Sequence, residues 1–103
     1  MIACNLSAFT AQQAERHRAL VDALRTQVQT MREAKNGWAF ELCSDAEVCR
    51  QAMEFATLER LCCPFLTFQL ELAPAGGPLT LTLTGPEGTK EILADFLQTG
   101  PQK

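Results

Sequence analysis

The strictest pattern in the chain is the alternation of leucine and threonine over residues 79–84. Because residues two apart in a β-strand share one face, this pattern predicts a strand with one apolar face and one polar face. Apolar and polar residues also alternate over residues 66–72, and the turn-forming residues 74–78 separate the two segments. The second half of the chain is therefore predicted to contain a β-hairpin with one solvated face.

A long helix is predicted over residues 10–35. Thr10 and Gln13 form a capping-box start, and Asn36-Gly37 supplies residues that tolerate the left-handed conformation common at a helix C-cap. Between these limits, apolar residues recur at helical spacing, namely Val21, Leu24, Val28 and Met31.

A second helix is predicted over residues 44–63, with a capping box at Ser44 and Glu47 and an end at Pro64. Alternation over residues 38–43 predicts a strand between the two helices, and the opening residues 2–6 also alternate like a strand. A short terminal helix is predicted after Pro86, with apolar positions at Ile92, Leu93, Phe96 and Leu97.

These segments give the order β-α-β-α-β-β-α. Because each strand has one polar face, we expect an α+β two-layer sandwich with a mixed or antiparallel sheet of about four strands and the helices on one face. With 103 residues there is room for one domain, which we assign to residues 1–98, followed by a loose tail at residues 99–103.

Charge and hydropathy exclude two classes of partner. Nine basic and twelve acidic residues give a net charge of −3 with no basic run, which argues against nucleic-acid binding. No apolar stretch approaches the roughly 18 residues of a membrane helix, and the N-terminus lacks the features of a signal peptide. We expect a cytoplasmic protein, and its thin core leaves room for a homodimer.

The chain has five cysteines, an odd number without a secretory signal, which favours free thiols or metal ligands over a disulfide framework. Cys62 and Cys63 are adjacent, and their Cα atoms are therefore about 3.8 Å apart, below the usual range for a disulfide. The pair is predicted to act as ligands.

Glu59 stands three and four residues before this pair, so the three side chains share one turn of the second helix. It lies in the middle of the predicted apolar stripe, where a buried carboxylate needs a partner such as a metal, an arginine or a hydroxyl group. Cys4, on the core face of the predicted first strand, is the candidate for a third thiolate. The predicted metal ligands are Cys4, Glu59, Cys62 and Cys63, and the ions that suit them are Zn, Cu(I), Hg(II) and As(III).

The remaining thiols and the single histidine are interpreted differently. Cys43 and Cys49 belong to the start of the second helix, and Cys49 lies about 20 Å from Cys62 along it. His17, on the apolar face of the first helix, could be a ligand or a base, but a core or boundary histidine is the preferred interpretation. If the two long helices run parallel, it also lies far from Cys62.

Three functions remain open from the sequence. The preferred hypothesis is binding of a soft or borderline metal ion or of a small thiol-reactive ligand. A thiol-dependent redox protein or enzyme is the alternative, with Cys62 or Cys63 reactive and Glu59 as acid/base partner. In the third hypothesis the cysteines only pack within a dimeric interaction module. An enzyme is the less favoured class, no catalytic residue is assigned, and no cofactor other than an ion is predicted.

Two motifs resemble those of a group of small uncharacterised bacterial proteins. The first is E-R-L-C-C-P-F at residues 59–65, and the second is L-T-G-P-E-G at residues 83–88. The segments C-N-L at residues 4–6 and N-G-W-A-F at residues 36–40 are also similar to that group. The resemblance implies a shared fold and a shared site at Cys4, Glu59, Cys62 and Cys63, and it implies no activity.

Overall fold

Four strands and three α-helices form the part of the chain that the computed structural model describes, residues 4–94. The strands form one sheet in the order β1-β2-β4-β3, with every neighbouring pair antiparallel. The predicted α+β class, with helices packed on a four-stranded sheet, is confirmed. In chain order the elements are α1 (Ala11–Arg25), β1 (Val28–Ala34), β2 (Gly37–Leu42), α2 (Ala46–Cys62), β3 (Thr67–Leu72), β4 (Leu79–Thr84) and α3 (Thr89–Ile92).

The core lies between one face of the sheet and the helices. The three leucines of β4 are fully buried while its three threonines are half-buried, as the alternation predicts. The register places Phe40 of β2 opposite Leu81 of β4, so both strands present their apolar residues to the same side. Helix residues complete this cluster, among them Leu20 and Leu24 of α1 and Val48, Ala52 and Phe55 of α2.

The predicted first helix begins as expected but ends ten residues early. Thr10 and Gln13 form the capping box at its start, and α1 stops at Arg25. Residues 28–34 form β1 instead, and Asn36 takes a positive φ of 57° at the turn into β2 rather than capping a helix.

A β-bulge explains why this strand has the spacing of a helix. The register shifts between Val28 and Thr30, so one extra residue lies between Val28, which faces Leu42, and Met31, which faces Phe40. Leu42 and Phe40 share one face of β2, so Val28 and Met31 both face the core although they are three residues apart. A bulged strand therefore imitates the i, i+3 pattern of a helix.

The strand predicted at residues 2–6 is not formed by residues 4–6, which are the part of it that the structure describes. Residues 6–8 form a short 3₁₀ turn, and the side chain of Asn5 accepts a hydrogen bond from the backbone N–H of Ser7 at its start. Ile2 at one end of the chain, and Phe96, Leu97 and the predicted tail at the other, lie outside the described residues.

Two helix starts also differ from the prediction. Asp45, not Ser44, caps α2, since its side chain accepts from the backbone N–H of Val48. The cap of α3 is Gly88, with φ 99°. Ser44 thus lies one residue before the observed cap of α2, and α3 begins three residues after Pro86.

Helices α1 and α2 are antiparallel, so the parallel arrangement that a single connecting strand would give does not occur. Asn5, just before α1, bonds to Cys62 at the end of α2, whereas Gln27, just after α1, contacts Cys43 just before α2. The relative direction of the two helices depends on β1, because the β1–β2 hairpin joins them where a single strand was predicted. The start of α1 is therefore placed beside the end of α2.

Candidate metal centre

The four predicted ligands converge at the end of α2. One sulfur or carboxylate oxygen from each of Cys4, Glu59, Cys62 and Cys63 lies within 4.8 Å of every other. Glu59, Cys62 and Cys63 are buried, while Cys4 is exposed. The three ligands from the end of α2 are therefore buried, and Cys4 of the N-terminal segment lies between them and the solvent.

Backbone hydrogen bonds set this arrangement. The N–H of Cys63 donates to the carbonyl of Glu59 at 2.8 Å, which keeps Cys63 on the last helical turn. The N–H of Asn5 donates to the carbonyl of Cys62 at 2.7 Å and brings Cys4 beside it. The second bond uses one of the carbonyls that a helix leaves without a partner at its C-terminus.

Cys4 and Cys63 form a disulfide, with their Cα atoms 4.6 Å apart. The prediction of free thiols is therefore wrong for these two residues and right for Cys43, Cys49 and Cys62. An odd count of cysteines excludes complete pairing but does not exclude one bond. The geometric argument against a bond between adjacent cysteines did not apply to Cys4.

Cys62 keeps a free thiol directly beside that bond, since its sulfur lies 3.4 Å from the sulfur of Cys63. Burial and the neighbouring Glu59 carboxylate raise the pKa of the Cys62 thiol to about 11. At neutral pH this thiol is protonated, so the site as it stands does not hold an activated Cys62 nucleophile.

The buried Glu59 carboxylate has the partner that its position requires, and that partner is His17. Nε2 of His17 lies 2.6 Å from Oε1 of Glu59, and the two side chains are 13% and 3% exposed. A carboxylate can only accept, so Nε2 is the donor when Glu59 is ionised. Phe9 and Phe55 contact the imidazole, with ring centroids 4.9 Å and 5.9 Å away.

His17 is thus a boundary histidine, as predicted, but its expected separation from the cysteines is wrong. The antiparallel arrangement of α1 and α2 brings it to Glu59. Its place on the apolar face of α1 was the available signal, because a polar residue there and a polar residue on the apolar stripe of α2 are natural partners.

Cys43 and Cys49 lie apart from the cluster, as their spacing predicts. The thiol of Cys43 donates to Oε1 of Gln27 at 2.9 Å, and that of Cys49 donates to the carbonyl of Ser44 at 3.6 Å. Each has a hydrogen-bond acceptor, and neither belongs to the group that could hold an ion.

Two surface cavities border these elements. His17, Leu6 and Phe9 help to line a cavity of about 380 Å³ beside α1. A larger cavity of about 480 Å³ lies between α2 and β3 and contains none of the four clustered residues. The clustered cysteines and Glu59 therefore lie at the end of α2 and outside the cavity between α2 and β3.

None of the helices within residues 4–94 has the length and apolar content needed to cross a membrane. No family model, no curated protein and no solved structure matches the chain. The shared site implied by the motif resemblance stays a prediction, and the case for function rests on the geometry of the cluster.

Proposed function

We propose that the reduced protein binds one thiophilic metal or metalloid ion through Cys4, Cys62 and Cys63, with Glu59 as a further ligand or as a hydrogen-bond acceptor. The observation that supports this is the convergence of four ligand atoms within 4.8 Å from two segments more than fifty residues apart. Two or three thiolates with a carboxylate or water suit zinc, copper(I) and softer ions.

Binding requires reduction of the Cys4–Cys63 bond, because a disulfide sulfur carries no thiolate. Reduction takes two electrons and two protons and yields two thiols. Together with Cys62, the reduced cluster then offers three sulfurs. The oxidised protein is expected to bind the same ions far more weakly.

Native mass spectrometry tests this proposal. The protein is reduced with a phosphine without oxygen, freed of reductant and offered Zn²⁺, Cu(I), Hg(II) or As(III) in separate samples. We expect one bound ion per chain for at least one of the four. The same spectra report the subunit count, and so test the predicted homodimer.

Matched variants locate the ion. Cys62→Ser and Cys63→Ser should abolish binding, whereas Cys43→Ser and Cys49→Ser, which remove thiols at the other end of α2, should retain it. A reduced protein that takes up none of the four ions contradicts the proposal, as does binding that survives both cluster variants.

The disulfide itself favours a second candidate, a thiol–disulfide exchange protein. An external thiolate can attack the sulfur of Cys4, which is the exposed half of the bond, and Cys63 then leaves as a thiolate while a mixed disulfide forms on Cys4. The raised pKa of Cys62 disfavours that residue as the attacking group.

Alkylation kinetics distinguish the two candidates. A redox protein should show, after reduction, one cysteine of the Cys4–Cys63 pair that reacts with iodoacetamide at least about tenfold faster than Cys43. Equal alkylation rates for all accessible thiols would argue against thiol–disulfide exchange and leave ion binding as the proposed function of the cluster.

A further inference from the structure

We infer that the ion is trivalent and is bound by three thiolates alone, as arsenite is when it forms a trithiolate complex with Cys4, Cys62 and Cys63. This inference rests on the proposed function and names the class of ligand for the same site. It follows from the way the structure uses Glu59 and from the charge that a buried complex would carry.

Glu59 does not need an ion. The sequence places a carboxylate in an apolar stripe, which by itself favours a metal partner. In the structure that requirement is met by His17, whose Nε2 lies 2.6 Å from Oε1 in a nearly buried pair. A charge-assisted hydrogen bond of this kind satisfies a buried carboxylate. The donor set left for an ion is three sulfurs.

Formal charge then separates the candidate ions. Three thiolates neutralise a trivalent ion, but they leave one negative charge with Zn²⁺ or Hg²⁺ and two with Cu⁺. Adding Glu59 as a fourth ligand to zinc leaves two negative charges. Cys62 and Cys63 are fully buried, and a net charge held there loses its hydration.

Coordination number points the same way. Zinc in structural sites is almost always four-coordinate, whereas a trivalent arsenic with a lone pair needs three ligands in a pyramid. The sulfurs of Cys62 and Cys63 are already 3.4 Å apart, and the third sulfur belongs to Cys4, which is released when its bond to Cys63 is reduced. No further residue is required.

The binding reaction is a condensation that balances without an oxidant. Arsenous acid carries three hydroxyl groups, and each thiol replaces one of them. Three S–As bonds form, three O–As bonds break, and the thiol protons leave in three molecules of water. The arsenic stays trivalent throughout. Only the preceding opening of the Cys4–Cys63 bond consumes electrons, and a phosphine supplies them as it is converted to its oxide.

Competition for the reduced, phosphine-free protein tests the inference. Equimolar arsenite and Zn²⁺ are added together, and native mass spectrometry identifies the bound species. We expect a mass gain of one arsenic less three hydrogens, and X-ray absorption of that complex should show three sulfur neighbours and no oxygen. A dithiol reductant is avoided because it would itself bind arsenite.

Glu59→Gln provides the second arm, since glutamine can keep the hydrogen bond to His17 and removes the carboxylate charge. Arsenite affinity should change by less than about threefold, whereas loss of an ion ligand or of its close support costs about tenfold or more. Cys4→Ser should weaken arsenite binding by more than tenfold, with Cys43→Ser as the unaffected control.

The outcomes separate this inference from the proposed function. Zinc bound in preference to arsenite, or an arsenite site lost in Glu59→Gln, overturns the trivalent assignment while the thiolate site stands. Failure of every ion to bind the reduced protein overturns both.

Discussion

The two ends of α2 each carry cysteines, yet only one end builds a cluster. At the N-terminal end, Cys43 and Cys49 donate separate hydrogen bonds and do not meet. At the C-terminal end, Cys62 and Cys63 lie with Glu59 on one turn and are joined by Cys4 from the start of the chain.

The difference lies in what packs against each end. The start of the chain is hydrogen-bonded to the C-terminal end of α2 and adds a third sulfur, and α1 adds His17. At the N-terminal end, the segment that follows α1 contributes the Gln27 amide, which accepts a hydrogen bond from Cys43. A pair of cysteines near one end of a helix is therefore not enough for a site, and convergence of separate segments is required.

The largest expected contrast between the two ends is in ion affinity. Cys62→Ser removes one of three thiolates and should weaken binding by at least about 100-fold, since even outer-shell changes cost 10–100-fold. Cys49→Ser, on the same helix, should leave affinity within about twofold. Isothermal titration of the reduced variants measures both affinities. Equal losses in the two variants would contradict an ion site confined to the C-terminal end of α2.

Stability should respond next, because the C-terminal end is cross-linked and the N-terminal end is not. Opening a bond that spans 59 residues should lower the free energy of unfolding by about 2–4 kcal/mol. The double variant Cys4→Ser/Cys63→Ser should match reduction of the native chain, and Cys43→Ser should not. Urea unfolding with and without a phosphine gives these values. If the phosphine still lowers the free energy of unfolding of the double variant, the loss does not come from the Cys4–Cys63 bond.

A third contrast compares two hydrogen-bonded side-chain pairs between α1 and α2. His17→Ala leaves the buried Glu59 carboxylate without its partner and should cost about 3 kcal/mol of unfolding free energy. Arg16→Ala breaks an exposed pair with Glu54, where solvent replaces the lost contact, and should have a much smaller effect. Thermal unfolding compares the variants, and His17→Gln, which can donate the same bond, should recover part of the loss.

The smallest expected effect is a pH dependence confined to Cys62. Its folded pKa, about 11, lies above the ordinary value of 9.0, so the unfolded chain loses the proton first as pH rises. Stability should therefore be unaffected below pH 9 and fall between about pH 9 and pH 11. Cys62→Ala should flatten this part of the profile in urea unfolding, whereas a matching slope in Cys49→Ala would assign the effect to another group.

Much of the fold could be predicted because alternation and capping are local signals. Strands β2, β3 and β4 and the start of α1 lie where the patterns place them. Strand β1 could not be found in this way, because its bulge gives Val28 and Met31 helical spacing. Residues 28–34 form a strand because they pair with β2, although their local periodicity is that of a helix.

The assignment of β1 to a helix also limited how much of the site could be predicted. Glu59, Cys62 and Cys63 follow from spacing on one helix, and Cys4 was chosen from a strand that the described residues do not contain. His17 could not be placed, because the missing β1 reversed the expected direction of α1 relative to α2. The disulfide was missed because the odd cysteine count and the lack of a secretory signal favoured free thiols, although Cys4 was already predicted to join Cys62 and Cys63.

The hydrogen bond between Asn5 and Cys62 has a consequence for how strongly the site can bind. Cys4 is held there by one backbone hydrogen bond and one covalent bond. Once the covalent bond is opened, an incoming ion must recapture the N-terminal segment and offset its lost conformational entropy. The measured affinity will then include the ordering of that segment, and its resistance to proteases will report whether Cys4 is anchored or free.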